Sequence, residues 1–125
     1  MYRVADLYSK ENNILAIVNG ESISQVASQT LPSLKVIGEV TNLPIIRPVS
    51  CFDKTEIIEL AKQINTYETS ILPYEDCCTI FVPPHPVINP NTSKCLKYEA
   101  LFDYEPMINW CVNNIKLYNK PDSLF

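Results

Sequence analysis

The chain has 125 residues, enough for one domain with a hydrophobic core, and a formal net charge of −4. That acidic balance argues against a nucleic-acid grip built from this chain alone, because phosphate contacts need clustered Lys and Arg. No apolar run approaches the roughly 20 residues that span a bilayer, the N-terminus lacks the pattern of a signal peptide, and five irregularly spaced cysteines exclude a fully paired disulfide framework and fit free thiols in a reducing cytoplasm.

Tyr2 to Asn12 reads as a short helix with Val4, Leu7 and Tyr8 on one face, stopped by Asn12 and Asn13. Residues 14–18, Ile-Leu-Ala-Ile-Val, form a continuous apolar run expected to be a parallel strand buried on both faces. Asn19-Gly20 follows at the strand's C-terminal end. Ser22 and Gln25 then have the spacing of a capping box, which predicts a helix start. Strand, glycine turn and helix N-terminus in that order suit a nucleotide, since backbone approaches closely at Gly20 and helix amides face an anion. The helix is expected to run through Val26, Ala27, Gln29 and Leu31, to kink or restart at Pro32, and to continue with Leu34 and Ile37 to near Gly38.

A second short strand is predicted from Leu43 to Val49, fenced by Pro44 and Pro48. Asp53 and Glu56 form another capping box, opening a helix to about Gln63. The order α-β-α-β-α predicts an α/β fold with a parallel sheet. Ligands in such sheets bind beyond the strand C-termini, here at Asn19-Gly20 and from Val49 to Asp53.

Residues 71–86, Ile-Leu-Pro-Tyr-Glu-Asp-Cys-Cys-Thr-Ile-Phe-Val-Pro-Pro-His-Pro, hold two adjacent cysteines, two acids, the single histidine and four of the ten prolines. Those prolines block regular structure, so this stretch reads as a stiff, shaped loop of the kind that carries functional residues. Beyond it, Asn89 to Thr92 is a turn, Thr92 is expected to cap a helix from Ser93 to about Leu101, and a last helix is expected from Asp103 to Tyr118. Pro106 fits that helix's first turn, and Met107, Cys111, Ile115 and Tyr118 share a face.

Two stretches resemble a known family. They are residues 20–30, Gly-Glu-Ser-Ile-Ser-Gln-Val-Ala-Ser-Gln-Thr, and residues 66–83, from Thr66 through the two cysteines to Pro83. Both resemble the tRNA 4-thiouridine synthases, or ThiI tRNA sulfurtransferases, and the link from Glu39 to Pro48 and from Asp53 to Ile58 fits as well. The resemblance is close over residues 1–90 and loose beyond. It implies an adenine-nucleotide hydrolase-like, Rossmann-type α/β sheet of the PP-loop class. It also implies use of ATP, with Mg2+, to adenylate uridine-8 of tRNA, and replacement of AMP by persulfide sulfur from a cysteine desulfurase. A link to sulfur supply for the thiazole of thiamine comes with it.

Residue by residue, Gly20 and Gln29 match positions that hold ATP, Lys54 matches the lysine of an Asp-Lys motif that assists adenylation, and Cys77 matches the cysteine that takes or relays the sulfur. The family's phosphate loop, Ser-Gly-Gly-x-Asp-Ser, is absent. The expectation is therefore the C-terminal half of the catalytic domain in residues 1–90 and a helical extension in residues 91–125, inactive alone, meeting tRNA through preceding domains and self-associating through an uncovered half sheet.

Several of these residues have a plainer reading beside the functional one. Cys77 carries persulfide chemistry if a cation lowers its pKa, and is otherwise a buried thiol; Glu75 and Asp76 oppose the thiolate. Cys78 or Cys51 are candidate resolvers of a persulfide, while Cys95 and Cys111 read as structural. Zinc on Cys77, Cys78 and His85 with Cys51 or Cys95 suffers from the adjacent cysteines, and no metal site is assigned. His85 reads as a loop residue, and Tyr67, Tyr74 and Trp110 as packing residues. The plainer readings of Lys54 and Gly20 are a solvated helix lysine and a turn glycine. The rival reading of the whole chain is a non-catalytic persulfide relay or partner-binding module without ATP chemistry.

Overall fold

The first helix, α1 (Tyr2–Glu11), ends because its C-terminal asparagines satisfy it. Asn12 follows the last turn, Asn13 takes the left-handed conformation at φ 56°, and the Ile14 amide reaches back to the Ser9 carbonyl at 2.9 Å. This is the Schellman stop, and asparagine tolerates its positive φ better than most residues. The computed structural model describes residues 1–23, 29–74, 85 and 87–116. Among these, β1 (Ile17–Val18), α2 (Leu31–Gly38), β2 (Ile45–Ile46), α3 (Lys54–Gln63), α4 (Tyr67–Ser70), α5 (Thr92–Glu99) and α6 (Glu105–Asn113) follow.

The two strands are parallel, with Ile17 opposite Ile45 and Val18 opposite Ile46. The Ile17 amide donates to the Pro44 carbonyl at 2.9 Å and the Asn19 amide to the Ile46 carbonyl at 3.1 Å. Strand, helix, strand in a parallel pair bears out the expected α/β order. The predicted strands of five and seven residues contract to two each, and Pro44 and Pro48, which have no N–H, bracket the β2 ladder.

Burial on both faces is not found. Gly38 of α2 sits over Ile45, whose Cδ1 lies 3.6 Å from where a glycine Cβ would stand. The opposite face carries Val18, 64% exposed, and Ile46, 51% exposed. An apolar run reports that a strand wants two covers, without saying that this chain supplies both.

The helix starts divide. The Asp53–Glu56 capping box forms as predicted: Asp53 Oδ1 accepts from the Thr55 and Glu56 amides at 2.7 and 2.9 Å, and Glu56 Oε2 accepts from the Asp53 amide at 2.7 Å. The far end of α3 closes with Asn65 at φ 57° and the Thr66 amide on the Ala61 carbonyl, the same stop as in α1. By contrast, α2 begins behind Thr30, whose hydroxyl accepts from the Ser33 amide, so Pro32 lies in the first turn of this helix and Gln29 lies outside it. Gln25, Val26 and Ala27 are outside the described residues. Asn91, not Thr92, caps α5 through the Lys94 amide, and the short α4 has no counterpart among the expected elements.

The last helix ends at Asn113, short of the expected Tyr118, which is outside the described residues. It packs on α1 by a different face from the one expected. Ile108 and the buried Val112 turn inward, while Met107, Cys111 and Ile115 are exposed. Both stripes are apolar at i, i+4, so periodicity cannot choose between them. Trp110 at 66% exposed and Tyr74 are not packing residues in this chain, and Cys111 is not a core thiol. On α1 the buried positions include Asp6 and Ser9. Asp6 takes the Lys10 ammonium at 2.6 Å and the Thr41 hydroxyl at 2.6 Å, and these bonds outweigh burial and hold its carboxyl below the usual range. Arg3 completes the attachment with a two-pronged bond to Glu99 at 2.7 and 2.6 Å, its guanidinium 4.9 Å from the centre of the Tyr104 ring.

Candidate functional site at the strand ends

Where β1 and β2 end, their following loops are laced together. The Ile23 amide donates to the Ser50 carbonyl at 2.9 Å. Ser22, only 3% exposed, donates its hydroxyl to the Phe52 carbonyl at 2.8 Å, and its amide donates to Gln29 Oε1 at 3.3 Å. One residue thus ties Gln29 to the segment that enters α3 two residues before Lys54. The Ser22 hydroxyl serves this crossing, a role the capping-box spacing did not reveal. Substituting Ser22→Ala strands the Phe52 carbonyl, and urea unfolding of the chain is expected to show a loss of about 1–3 kcal/mol. An unchanged midpoint would mean that water replaces the hydroxyl without cost.

Gly20 is exposed at the end of β1, its φ is negative, and a Cβ built on it meets nothing within 4 Å. Among the described residues, neither backbone strain nor packing calls for glycine there. The open side of Gly20 leaves room for a group that closes on the backbone. Gln29 holds its carboxamide in place through the Ser22 amide, which leaves its NH2 as the donor end. Lys54 is exposed on the first residue of α3. The Thr55 and Glu56 amides at that helix end are taken by Asp53, so an anion arriving there meets the Lys54 ammonium rather than those two amides. Cys77 and Cys78 lie outside the described residues. Cys51 is exposed in the turn after β2, Cys95 is half-buried on α5, and His85 is exposed.

Sequence reasoning missed a polar cluster at the same end of the sheet. Glu21 Oε2 accepts from Tyr2 Oη at 2.7 Å, from Asn19 Nδ2 at 2.9 Å and from Arg47 Nε at 2.8 Å. Asn19 also donates to the Tyr2 hydroxyl, and its Oδ1 accepts from the Glu21 amide at 3.2 Å. Burial alone would raise the Glu21 carboxyl, but the bonds from Arg47, Tyr2 and Asn19 outweigh it and hold the group below the usual carboxylate range. Burial and the Glu21 carboxylate push the Tyr2 phenol up. Only the position just past a strand end marked Glu21 beforehand, because its partners Tyr2 and Arg47 stand 19 and 26 residues away. A cleft of about 570 Å³ opens beside the cluster, bordered by Tyr2, Val4, Asn19, Glu21, Ile37 and Tyr104.

Residues 1–104 match the family model described as "Thiamine biosynthesis protein (ThiI)". Proteins named "Probable tRNA sulfurtransferase" from Staphylococcus aureus strains Newman, COL and MSSA476 are each 54% identical over 116 residues, which is 93% of this chain and 28% of theirs. The chain therefore spans 28% of the length of these curated relatives. A solved structure, "Crystal structure of a 4-thiouridine synthetase - RNA complex with bound ATP", superposes with a TM-score of 0.79 at 45% identity, covering 90% of this chain and 29% of that one.

Proposed function

The chain belongs to the ThiI family, and on that premise we propose that it forms part of the catalytic domain of an ATP-dependent tRNA sulfurtransferase that converts uridine-8 to 4-thiouridine. The observation that carries this reading is the meeting of Gly20, Gln29 and the start of α3 at one end of a parallel sheet, stitched through Ser22. That end is where α/β sheets bind ligands. Its support from outside the chain is the likeness to a synthetase solved with ATP and RNA.

In this reading the fold is the C-terminal half of a PP-loop, adenine-nucleotide hydrolase-like sheet, with residues 1–90 in the catalytic domain and residues 91–125 as its helical extension. ATP, with Mg2+, supplies the adenylyl group that makes the uridine 4-oxygen a leaving group. Gly20 admits the nucleotide to the backbone, and Gln29 donates its NH2. Lys54 offsets charge developing on the phosphate or the uridine oxygen. Cys77 carries the terminal sulfur as a persulfide received from a cysteine desulfurase and delivers it to the base, with Cys78 or Cys51 as the thiol that then resolves the linkage. Sulfur held this way also suits delivery to a thiamine thiazole.

With a net charge of −4 the chain is a poor RNA grip, so tRNA is held mainly by other domains. Alone it is inactive, and the exposed Val18 and Ile46 face favours self-association. No helix among the described residues is long and apolar enough to cross a membrane; the cytoplasm is the compartment we assign to the reaction.

The test uses Gly20→Ala. Because φ is negative and the side is open, the chain is expected to lose no stability and to gain up to about 1 kcal/mol in thermal unfolding. ATP affinity of the complete enzyme is expected to fall by at least about tenfold, the equivalent of one lost contact. Unaltered ATP binding would remove Gly20 from the nucleotide site.

A further inference from the structure

We propose that Glu21 is a positioning residue for the nucleotide loop, holding the Gly20 backbone in its binding shape by clasping Asn19 and anchoring it to Tyr2 and Arg47. The inference rests on the reading of Gly20 as part of an ATP site. Asn19 Oδ1 accepts from the Glu21 amide at 3.2 Å, and Asn19 Nδ2 donates to Glu21 Oε2 at 2.9 Å. These two bonds between the residues before and after Gly20 close a small ring around it, in the manner of an Asx turn.

The carboxylate then carries that ring outward. Tyr2 comes from the start of α1, and Arg47 from the residue after β2. Three donors from three separate places converge on one oxygen at the end of the sheet.

An ion pair this enclosed contributes little to net stability, because desolvation offsets most of its Coulomb attraction. Its effect is geometric. A loop already shaped before the ligand arrives loses less conformational freedom on binding, which appears as affinity. Among the described residues a methyl group placed on Gly20 would find no neighbour within 4 Å, so side-chain packing does not hold this residue; the polar clasp shapes it between the bonds of Asn19 to Ile46 and of Ile23 to Ser50.

The experiment is steady-state thiolation by the complete enzyme with varied ATP, alongside thermal unfolding. Glu21→Ala is expected to raise KM for ATP about tenfold, to leave kcat within about threefold and, because it leaves Arg47, Asn19 and Tyr2 without their acceptor, to lower the unfolding midpoint. Glu21→Gln keeps an acceptor oxygen and is expected to recover most of the affinity. Arg47→Gln removes a single donor and is expected to raise KM in the same direction; it serves as the readout if Glu21→Ala does not fold. ATP-dependent thiolation with KM unchanged in the folded variants overturns the inference and leaves the nucleotide reading standing. So does a joint collapse of kcat and unfolding midpoint in both Glu21→Gln and Arg47→Gln. Thiolation that shows no ATP dependence in the parent overturns both.

Discussion

A complete enzyme carrying Cys77→Ser is expected to make no 4-thiouridine while binding ATP almost as tightly as its parent. Persulfide chemistry needs a sulfur nucleophile that can bond to a second sulfur and later release it, and a serine hydroxyl does neither. The loss should exceed about 10³-fold, the scale seen when a covalent nucleophile is removed. Nucleotide binding should persist because Ser22 holds its geometry through bonds to Gln29 and Phe52, and Glu21 bonds Asn19 across Gly20, contacts that do not use Cys77. Two assays check it: 4-thiouridine content of tRNA digests, and nucleotide affinity by calorimetry. Full thiolation by the variant would sink the assignment of Cys77, and the sulfur carrier would have to be sought at another thiol such as the exposed Cys51.

Lys54→Ala is expected to lower kcat about 10²-fold with a smaller change in KM for ATP, the pattern of a group that stabilises charge mainly in the transition state. The physical reason lies in how α3 begins. Its first-turn amides at Thr55 and Glu56 are occupied by the Asp53 carboxylate. The positive end of the helix is thereby balanced by its own cap, and the ammonium of Lys54 is the charge left to face a developing anion. Lys54→Arg keeps the charge and should recover part of kcat. A variant with parental kcat would reduce Lys54 to a solvated first-turn lysine. Stability should hardly move in either variant, since the side chain is exposed and the capping box does not use it.

Several elements of the fold are legible in the sequence because their bonds close within a few residues. The Asp53–Glu56 box and the Asn12-Asn13 stop are local chemistry, and both form where the residues predict them. The order of helices and strands follows in the same way. Gly20 and Lys54 can be placed near one end of a sheet because topology alone puts them past strand C-termini, whereas Gln29 comes to that end only through the family resemblance. Gln29 reads as helical but precedes α2, since Thr30 caps that helix one residue later.

The α/β order, the boundaries of α1 and α3 and the resemblance to a sulfurtransferase family are readable along the chain, because each rests on signals carried by neighbouring residues. Packing between distant segments settles which of two equal apolar stripes on α6 turns inward, why Asp6 is buried, and that Val18 and Ile46 stay bare. It also assembled the Glu21 cluster and the Arg3–Glu99 bond, whose partners lie as far as 96 residues apart. Charge and hydrophobicity along a chain say what each residue will seek. Which group it meets is set by how distant segments pack, and that information is not local.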